Sequence, residues 1–357
     1  MKSKVYFIPF TDPANVAEGA RRVQKLLDES RVLDCVKKNA TVAVKAHFGE
    51  EGNKGFVAPE FAGVICRAVL NKGAKAFLSD TNTLYRGKRT NCQDHLALAH
   101  AHGFTKKITG VDVIIPDDTV KKNTVEVTID RKLVPKAKIA RLFADADALV
   151  VISHFKGHML SGFGGALKNM GMGCATREGK LVQHCTATPV VHEEQCIGCG
   201  ACVQVCPVDA IRLENNKAKV ETAKCIGCAS CVGACPTWAM FVFSASGDMV
   251  QKKMAEYALA VLKGKKGRTA FINFAVKINK ECDCWSMENP RIGPDVGILA
   301  SNDPVSLDKA CFDVVRKACA RDIFKEHHPE QNSFVQLEYA ASLGLGNLAY
   351  ELVEVEL

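Results

Sequence analysis

No apolar run in this chain approaches the length that crosses a bilayer, so no membrane span is expected. The amino terminus, MKSKVYFIPF, has neither the long apolar segment nor the small-residue cleavage site of a secretory leader. It reads as a first strand, and the expected location is cytoplasmic. Aromatics that stack on bases are scarce, with two Trp and five Tyr, and no basic cluster is interleaved with them. That argues against a nucleic-acid partner, which needs stacking and phosphate-binding cations together. No low-complexity segment is present. Hydrophobic residues make up 47% and charged residues 24%, ordinary values that allow a sizeable core and exclude disorder.

Cysteine, in contrast, is abundant, with seventeen in 357 residues. In a small secreted domain this would mean disulfides. In a large chain without a leader, with half the cysteines in tight groups, it means metal binding in a reducing compartment. The two groups are QCIGCGACVQVCPVDAI (195–211) and KCIGCASCVGACPTWAM (224–240). Each is a C-x2-C-x2-C-x3-C-P run, the spacing of bacterial ferredoxins. Three thiolates two residues apart, on a loop curled by Gly198, Gly200 and Gly227, grip three corners of one cubane. The fourth reaches the neighbouring cluster, and the proline ends the loop. Cys196, Cys199 and Cys202, completed by Cys235, are therefore expected to bind one [4Fe–4S] cluster. Cys225, Cys228 and Cys231, completed by Cys206, are expected to bind a second. Paired zinc ribbons share the C-x2-C spacing, but eight cysteines with two C-P endings exceed what zinc sites need. The formal charge of +8 singles out no anionic partner, because two oxidised clusters with their thiolates would lower it to roughly +4. Between the runs, RLENNKAKVETA reads as a hairpin turning at Asn215–Asn216.

Around this unit the pattern is α/β. Strands are expected at KVYFIPF, TVAVKAHF, AKAFLSD, DVIIP, VEVTI, ALVVIS, TAFINFAVKI, VGILAS and LAYELVEV. Helices are expected at NVAEGARRVQKLLDES, PEFAGVICRAVLNKG, NCQDHLALAHAHG, PKAKIARLFADA, DMVQKKMAEYALAVLKG, DPVSLDKACFDVVRKACA and VQLEYAASLGLG. In the penultimate helix Asp303 is the N-cap and Pro304 the first helical residue. The alternation predicts an α/β fold with mostly parallel sheets and flanking helices, carrying a small inserted ferredoxin-like domain. The expected division is 1–189 (N-terminal α/β part with the candidate site loops), 190–245 (two-cluster insert) and 246–357 (C-terminal α/β part).

Ligands in open α/β sheets collect beyond the carboxyl ends of the strands. Four unusual segments fall there: KAHFGEEGNKG, SDTNTLYRGKRTN, SHFKGHMLSGFGGALKN and NKECDCWSMENPR. They are expected to converge on one cleft. His47, His154, His158 and His184 are candidates for proton transfer or metal ligation, and each alone also fits a hydrogen-bonded structural histidine. If GGALKNMG opens a helix, its free N–H groups would make an anion site with Lys168 one turn in, although the segment is neither a Walker A loop nor a dinucleotide fingerprint. Arg86 and Arg89, with Asp80 and Thr81, would bind an anionic substrate or form a solvated loop. Cys282 and Cys284 are too close for an ordinary disulfide and fit metal or cluster ligands, with Cys174 and Cys185 as further members. Cys35, Cys66, Cys92, Cys311 and Cys319 read as core residues.

Together, KAHFGEEGN, SDTNTLYRGKR, SHFKGH, GFGGALKNMGMGC, GKLVQH, the two cysteine runs, CDCW and GILASNDPVSLD make the chain resemble the iron–sulfur centre proteins of domain-of-unknown-function family 362. The resemblance covers nearly the whole length. It implies two [4Fe–4S] clusters and anaerobic or redox metabolism, with no settled reaction. The spacing of His158, Lys168 and His184 is also similar to that of lactate racemase, which lacks a ferredoxin-type insert. That likeness implies His158 as base, Lys168 as covalent anchor of a nickel-pincer nucleotide and His184 as nickel ligand. The expected function is an oxidoreductase taking electrons from a soluble redox partner, through the clusters, to a small-molecule substrate in the α/β body. A second metal centre, a flavin or a further cluster would mediate two-electron chemistry. The alternatives are a non-enzymatic electron carrier or cluster-delivery protein, and a racemase or isomerase with an organometallic cofactor.

Overall fold

The computed structural model describes residues 2–84, 87–117, 120–184, 189–225, 230–241, 246–287 and 289–356. Eight strands form its central sheet: β1 (Ser3–Pro9), β2 (Thr41–Lys45), β3 (Lys75–Ser79), β4 (Asp112–Ile114), β5 (Ala148–His154), β6 (Thr269–Ala275), β7 (Gly297–Ser301) and β8 (Tyr350–Glu354). Their order is β8-β1-β7-β6-β5-β2-β3-β4. β4, β3, β2, β5 and β6 run parallel to one another, β7 is antiparallel to both its neighbours, and β8 is parallel to β1. The fold is thus α/β with a mostly parallel sheet.

The apolar run ALVVIS is continuous because β5 is covered on both faces. Leu149 and Val151 point into one core, and Val150 and Ile152 into the other. Helix Val16–Ser30 starts where the Asn15 side chain accepts the Glu18 N–H (3.0 Å), and it buries Val23, Leu26 and Leu27. Helix Pro304–Cys319 begins as expected, with Asp303 accepting the Ser306 N–H at 2.9 Å.

Three segments depart from expectation. PKAKIARLFADA is not one helix: Lys136–Ala140 is a strand and only Arg141–Asp145 is helical. The run KAKIA buries Ala137 and Ile139, two residues apart, which is strand periodicity. Its partner is Thr124–Thr128, so VEVTI is a strand of this separate hairpin rather than of the main sheet. Between His154 and Met172 the chain forms a small hairpin, Lys156–His158 against Gly162–Gly164, before the short helix Ala166–Gly171. Helix Arg177–His184 was also not anticipated.

Within the cysteine-rich segment Ile211–Glu214 pairs with Lys217–Val220. Asn215 and Asn216 both have positive φ, at 48° and 63°, as a two-residue hairpin turn requires. No helix among the described residues is long and apolar enough to cross a membrane.

Candidate functional site

The carboxyl ends of β2, β3, β5 and β6 lie side by side, and the loops leaving them enclose a cavity of about 80 Å³. Its wall includes His47, Asp80 and Arg89 from the first two loops, and His154, His158, Lys168 and His184 from the segment after β5. Cys282 and Cys284 come from the loop after β6. The four segments therefore meet as the strand-end argument anticipated.

Two buried carboxylates organise the wall. Asp80 Oδ1 lies 2.9 Å from Lys45 Nζ, and its Oδ2 lies 3.0 Å from Arg89 Nη2. Burial would raise the Asp80 carboxyl, but Lys45 and Arg89 hold it well below the usual carboxylate range. Arg89 also donates through Nε to His95 Nε2 (3.2 Å), and its Nη1 lies 3.0 Å from His47 Nε2. With three of its nitrogens engaged and only 4% of it exposed, Arg89 is a latch within the cavity wall and does not stand in a solvated loop. Burial, then Arg89, pushes His47 well below the usual histidine range, so its ring is neutral. Thr81 donates to the Gly173 carbonyl (2.9 Å) and receives the Lys180 ammonium. Arg86 lies outside the described residues.

Asp283, between the two cysteines, anchors the other side. Both its oxygens lie 3.0 Å from His154 Nδ1, and Lys156 Nζ lies 3.3 Å from Oδ2. Burial opposes ionisation, but His154 and Lys156 hold this carboxyl well below its ordinary value. His154 Nε2 faces the carbonyls of Val276 (2.9 Å) and Lys277 (3.1 Å). Both ring nitrogens of His154 are therefore engaged with the scaffold.

His158 is differently placed. The Ser161 hydroxyl lies 2.7 Å from the Phe163 carbonyl and 2.9 Å from His158 Nδ1. The Leu160 N–H donates to the same nitrogen at 3.3 Å. His158 Nε2 has no hydrogen-bond partner among the described residues. Burial, Lys168 and His184 push this histidine well below its usual range. His184 is lowered to about 4 by burial, Lys168 and Lys180.

Lys168 Nζ lies 3.3 Å from Cys282 Sγ. A β-carbon on Gly164 would stand 2.7 Å from Lys168 Cδ, so that glycine makes room for the lysine stem. The neighbouring Cys284 thiol, with Lys168 and Lys156 and against burial, holds Cys282 well below the usual thiol range, while Cys282 and burial raise Cys284.

The expected anion site at the helix start is filled by the protein itself. Asp308 accepts from Ala166 N–H (2.7 Å), Leu167 N–H (2.9 Å) and Asn273 Nδ2 (2.7 Å). Burial nevertheless pushes Asp308 up to about 6, against those three donors. Sequence reading missed Asp308, Asp283 and Lys45, which sit in ordinary-looking helix, loop and strand contexts. Asp283 had one signal, its place inside C-x-C.

Cys174 does not join Cys282 and Cys284. It is fully buried in the core, and burial pushes its thiol to about 12. Cys185 lies outside the described residues. Cys66 and Cys311 are core residues as expected, and Cys35, Cys92 and Cys319 pack against the cores. Among the described residues no three His, Cys, Asp or Glu side chains converge on a single-ion position. His184, Cys282 and Cys284 share the cavity without forming such a site.

A separate small cavity is lined by four cysteines, Cys196, Cys199, Cys202 and Cys235. These are the three of one run and the last of the other. Backbone N–H groups face the sulfurs: Ala218 to Cys196 and Met240 to Cys235 at 3.4 Å each, and Ala210 to Cys206 at 3.2 Å. Cys225 and Cys231 are described, whereas Cys228 and Gly227 lie outside the described residues.

A stretch of 29 residues is 55% identical to Ferredoxin-2 of Desulfomicrobium norvegicum, covering 8% of this chain and 49% of that protein. The chain thus spans about half the length of the curated relative it matches. The lactate racemase apoprotein of Thermoanaerobacterium thermosaccharolyticum is a weaker structural likeness, with TM-score 0.40 and 13% identity over 76% of this chain and 50% of that one. A solved protein of Thermotoga maritima has TM-score 0.40 and 14% identity, covering 87% of this chain and 59% of that one. The model of a domain of unknown function, DUF362, matches residues 42–313, a span that contains every residue of both cavities described above, and the chain belongs to that family.

Proposed function

We propose that this protein is an iron–sulfur oxidoreductase. Residues 190–245 form a ferredoxin-type unit, and the cavity at the strand ends is the reaction site. The observation that carries this reading is the mixed lining of the small cavity: Cys196, Cys199 and Cys202 together with Cys235, the exchange of fourth ligands that two-cluster ferredoxins use. Cys225, Cys228, Cys231 and Cys206 would hold the second cluster. Bound there, the clusters would supply electrons one at a time.

The chain's own residues prepare the other cavity for a small anionic substrate. Lys168, Lys156 and Lys180 bring positive charge to the wall of a small, largely buried space, where charge interactions are strong. His158 is a neutral ring able to give or take a proton in the cavity, its orientation held by Ser161 and the Leu160 N–H. Asp283 and His154 hold the Cys282–Cys284 loop against the end of β6. A two-electron reaction needs an intermediary in the cavity, and Cys282 and Cys284 are the residues offered to it.

The test follows reoxidation of the reduced protein under anaerobic conditions with a panel of small carboxylates and phosphorylated acids. The expected result is substrate-dependent reoxidation that is lost in Lys168→Ala and Cys282→Ser while both clusters remain. A fully assembled protein that has no redox centre beyond the clusters, and no turnover with any low-potential donor, would refute the proposal and favour the electron-carrier alternative. The shared lining by His158, Lys168 and His184 supports a second reading, a racemase or isomerase with a covalent cofactor on Lys168. An unmodified Lys168 by mass spectrometry in active protein would eliminate it.

A further inference from the structure

The loop after β6 carries two thiols on one short turn. Residues 282–285 form a β-turn in which the Trp285 N–H donates to the Cys282 carbonyl at 3.2 Å. The turn is held from three sides. Asn289 Nδ2 donates to the same Cys282 carbonyl (3.2 Å), the Glu50 N–H donates to the Asp283 carbonyl (2.9 Å), and the Asp283 carboxylate lies against His154 and Lys156. Cys282 and Cys284 both line the reaction cavity, as neighbouring thiols. In a straight strand, residues two positions apart stand about 6.6 Å apart, near the upper limit of what a disulfide bridges. A turn shortens that span. The closeness in sequence that argues against an ordinary structural disulfide therefore makes for a strained one, and strained disulfides are the easily reduced, cycling kind.

The surroundings suit a pair that changes redox state. Lys168 Nζ lies 3.3 Å from Cys282 Sγ and places a proton donor beside the sulfur. Cys282 is only 2% exposed, so thiols and oxidants in bulk solvent have little access to it. Leu84, on the cavity wall, also belongs to the apolar cluster that contains Cys202, Cys231 and Cys235, so the cysteine-rich unit packs against the same wall. Among the described residues, no third His, Cys, Asp or Glu side chain joins the pair to hold a single ion.

We infer that Cys282 and Cys284 are themselves a two-electron redox couple, cycling between dithiol and disulfide at the wall of the reaction cavity. The inference rests on the reading of the cysteine-rich unit as the electron source. Two electrons, delivered one at a time by the reduced clusters, and two protons break the S–S bond and leave two thiols. The dithiol then passes two electrons and two protons to the small anionic substrate, which is reduced as the S–S bond re-forms. The pair adds up single-electron deliveries, so that neither a metal nor a flavin is required in the cavity.

The test uses the whole protein purified without oxygen, treated with one equivalent of diamide and then titrated with titanium(III) citrate, a one-electron reductant. The parent is expected to take up about four electrons per chain, one for each cluster and two for the pair. Cys282→Ala and Cys284→Ser should each take up about two with their iron unchanged, whereas Cys319→Ser, which does not line the cavity, should still take up about four. A second readout needs no variant. After acid quenching and unfolding, the peptide carrying Cys282 and Cys284 should gain no N-ethylmaleimide label before the titration and a label on both cysteines after it. Labels on both cysteines before the titration, or equal electron uptake by the parent and Cys284→Ser, would overturn the couple and leave the cluster reading intact. Iron lost in Cys284→Ser would overturn it as well, by making the pair metal ligands. An uptake that Cys284→Ser abolishes altogether would overturn the cluster reading, and with it the route that feeds the pair.

Discussion

Two cavities lie at opposite ends of the same sheet, and the larger carries less chemistry. One, of about 500 Å³, borders Thr269 at the start of β6 and Asn302 just beyond β7. Its lysines are the obvious feature, yet Lys263 donates to the Thr128 carbonyl (2.6 Å) and Lys265 to the Ala144 carbonyl (2.7 Å). It is lined by neither histidine nor cysteine. The other, about 80 Å³, lies at the carboxyl ends and gathers four histidines, three lysines and two cysteines. The contrast follows from strand direction. Parallel strands deliver their loops to one end, where side chains from distant segments can meet. Volume records how loosely the loops at the other end pack.

The contrast can be broken most forcefully at the buried carboxylates. Asp80→Ala leaves Lys45 and Arg89 buried without their shared counter-charge, and Asp283→Ala does the same to Lys156 and His154. Each should cost about 3–5 kcal/mol in denaturant unfolding, whereas Lys263→Ala and Lys266→Ala at the large cavity should stay within about 0.5 kcal/mol. A loss below about 1 kcal/mol for Asp80→Ala would mean the small cavity is no more tightly organised than the large one.

Asp308 gives the next largest effect, read through pH. Its carboxyl is raised in the folded protein to about 6, above the value near 3.9 of an unfolded chain. The stability it contributes is therefore fully present below about pH 4 and is lost as pH rises through 6. Between pH 4 and 7 the parent should lose roughly 2 kcal/mol relative to Asp308→Asn. Parallel pH profiles for the two proteins would show that the three donors on Asp308 already offset its burial.

Gly157→Ala is a smaller perturbation at the same end. Its new β-carbon would lie 2.2 Å from the Lys280 carbonyl oxygen, just ahead of the Cys282–Cys284 loop. It should cost about 1–3 kcal/mol by overpacking, and thermal unfolding will show it. Ser161→Ala should be the mildest, at about 1 kcal/mol. Nitrogen NMR of His158 is the decisive readout there: the parent should show one fixed tautomer, and the variant should lose that preference.

What could be read beforehand divides along physical lines. ALVVIS, TAFINFA and GILAS were legible as strands because β5, β6 and β7 are buried on both faces and hence uniformly apolar. The Asp303–Pro304 helix start was legible because capping is local. KAKIA was misread because its lysines and alanines favour helix, and only its pairing with Thr124–Thr128 decides otherwise. The convergence of His47, His158, Lys168 and Cys282 followed from topology. Asp308, arriving from more than 130 residues away to fill the helix start, had no local signal. Arg89 was recognised as notable but not as a latch, since its partners Asp80, His47 and His95 are fixed only by the fold.

The most direct test of the central claim is a metal and sulfide inventory of anaerobically purified protein. About eight irons with matching acid-labile sulfide per chain are predicted, falling by about half in both Cys199→Ser and Cys235→Ser, as the proposed sharing of one cluster by residues from different runs requires. Stoichiometric zinc, or iron that Cys235→Ser leaves unchanged, would contradict the account.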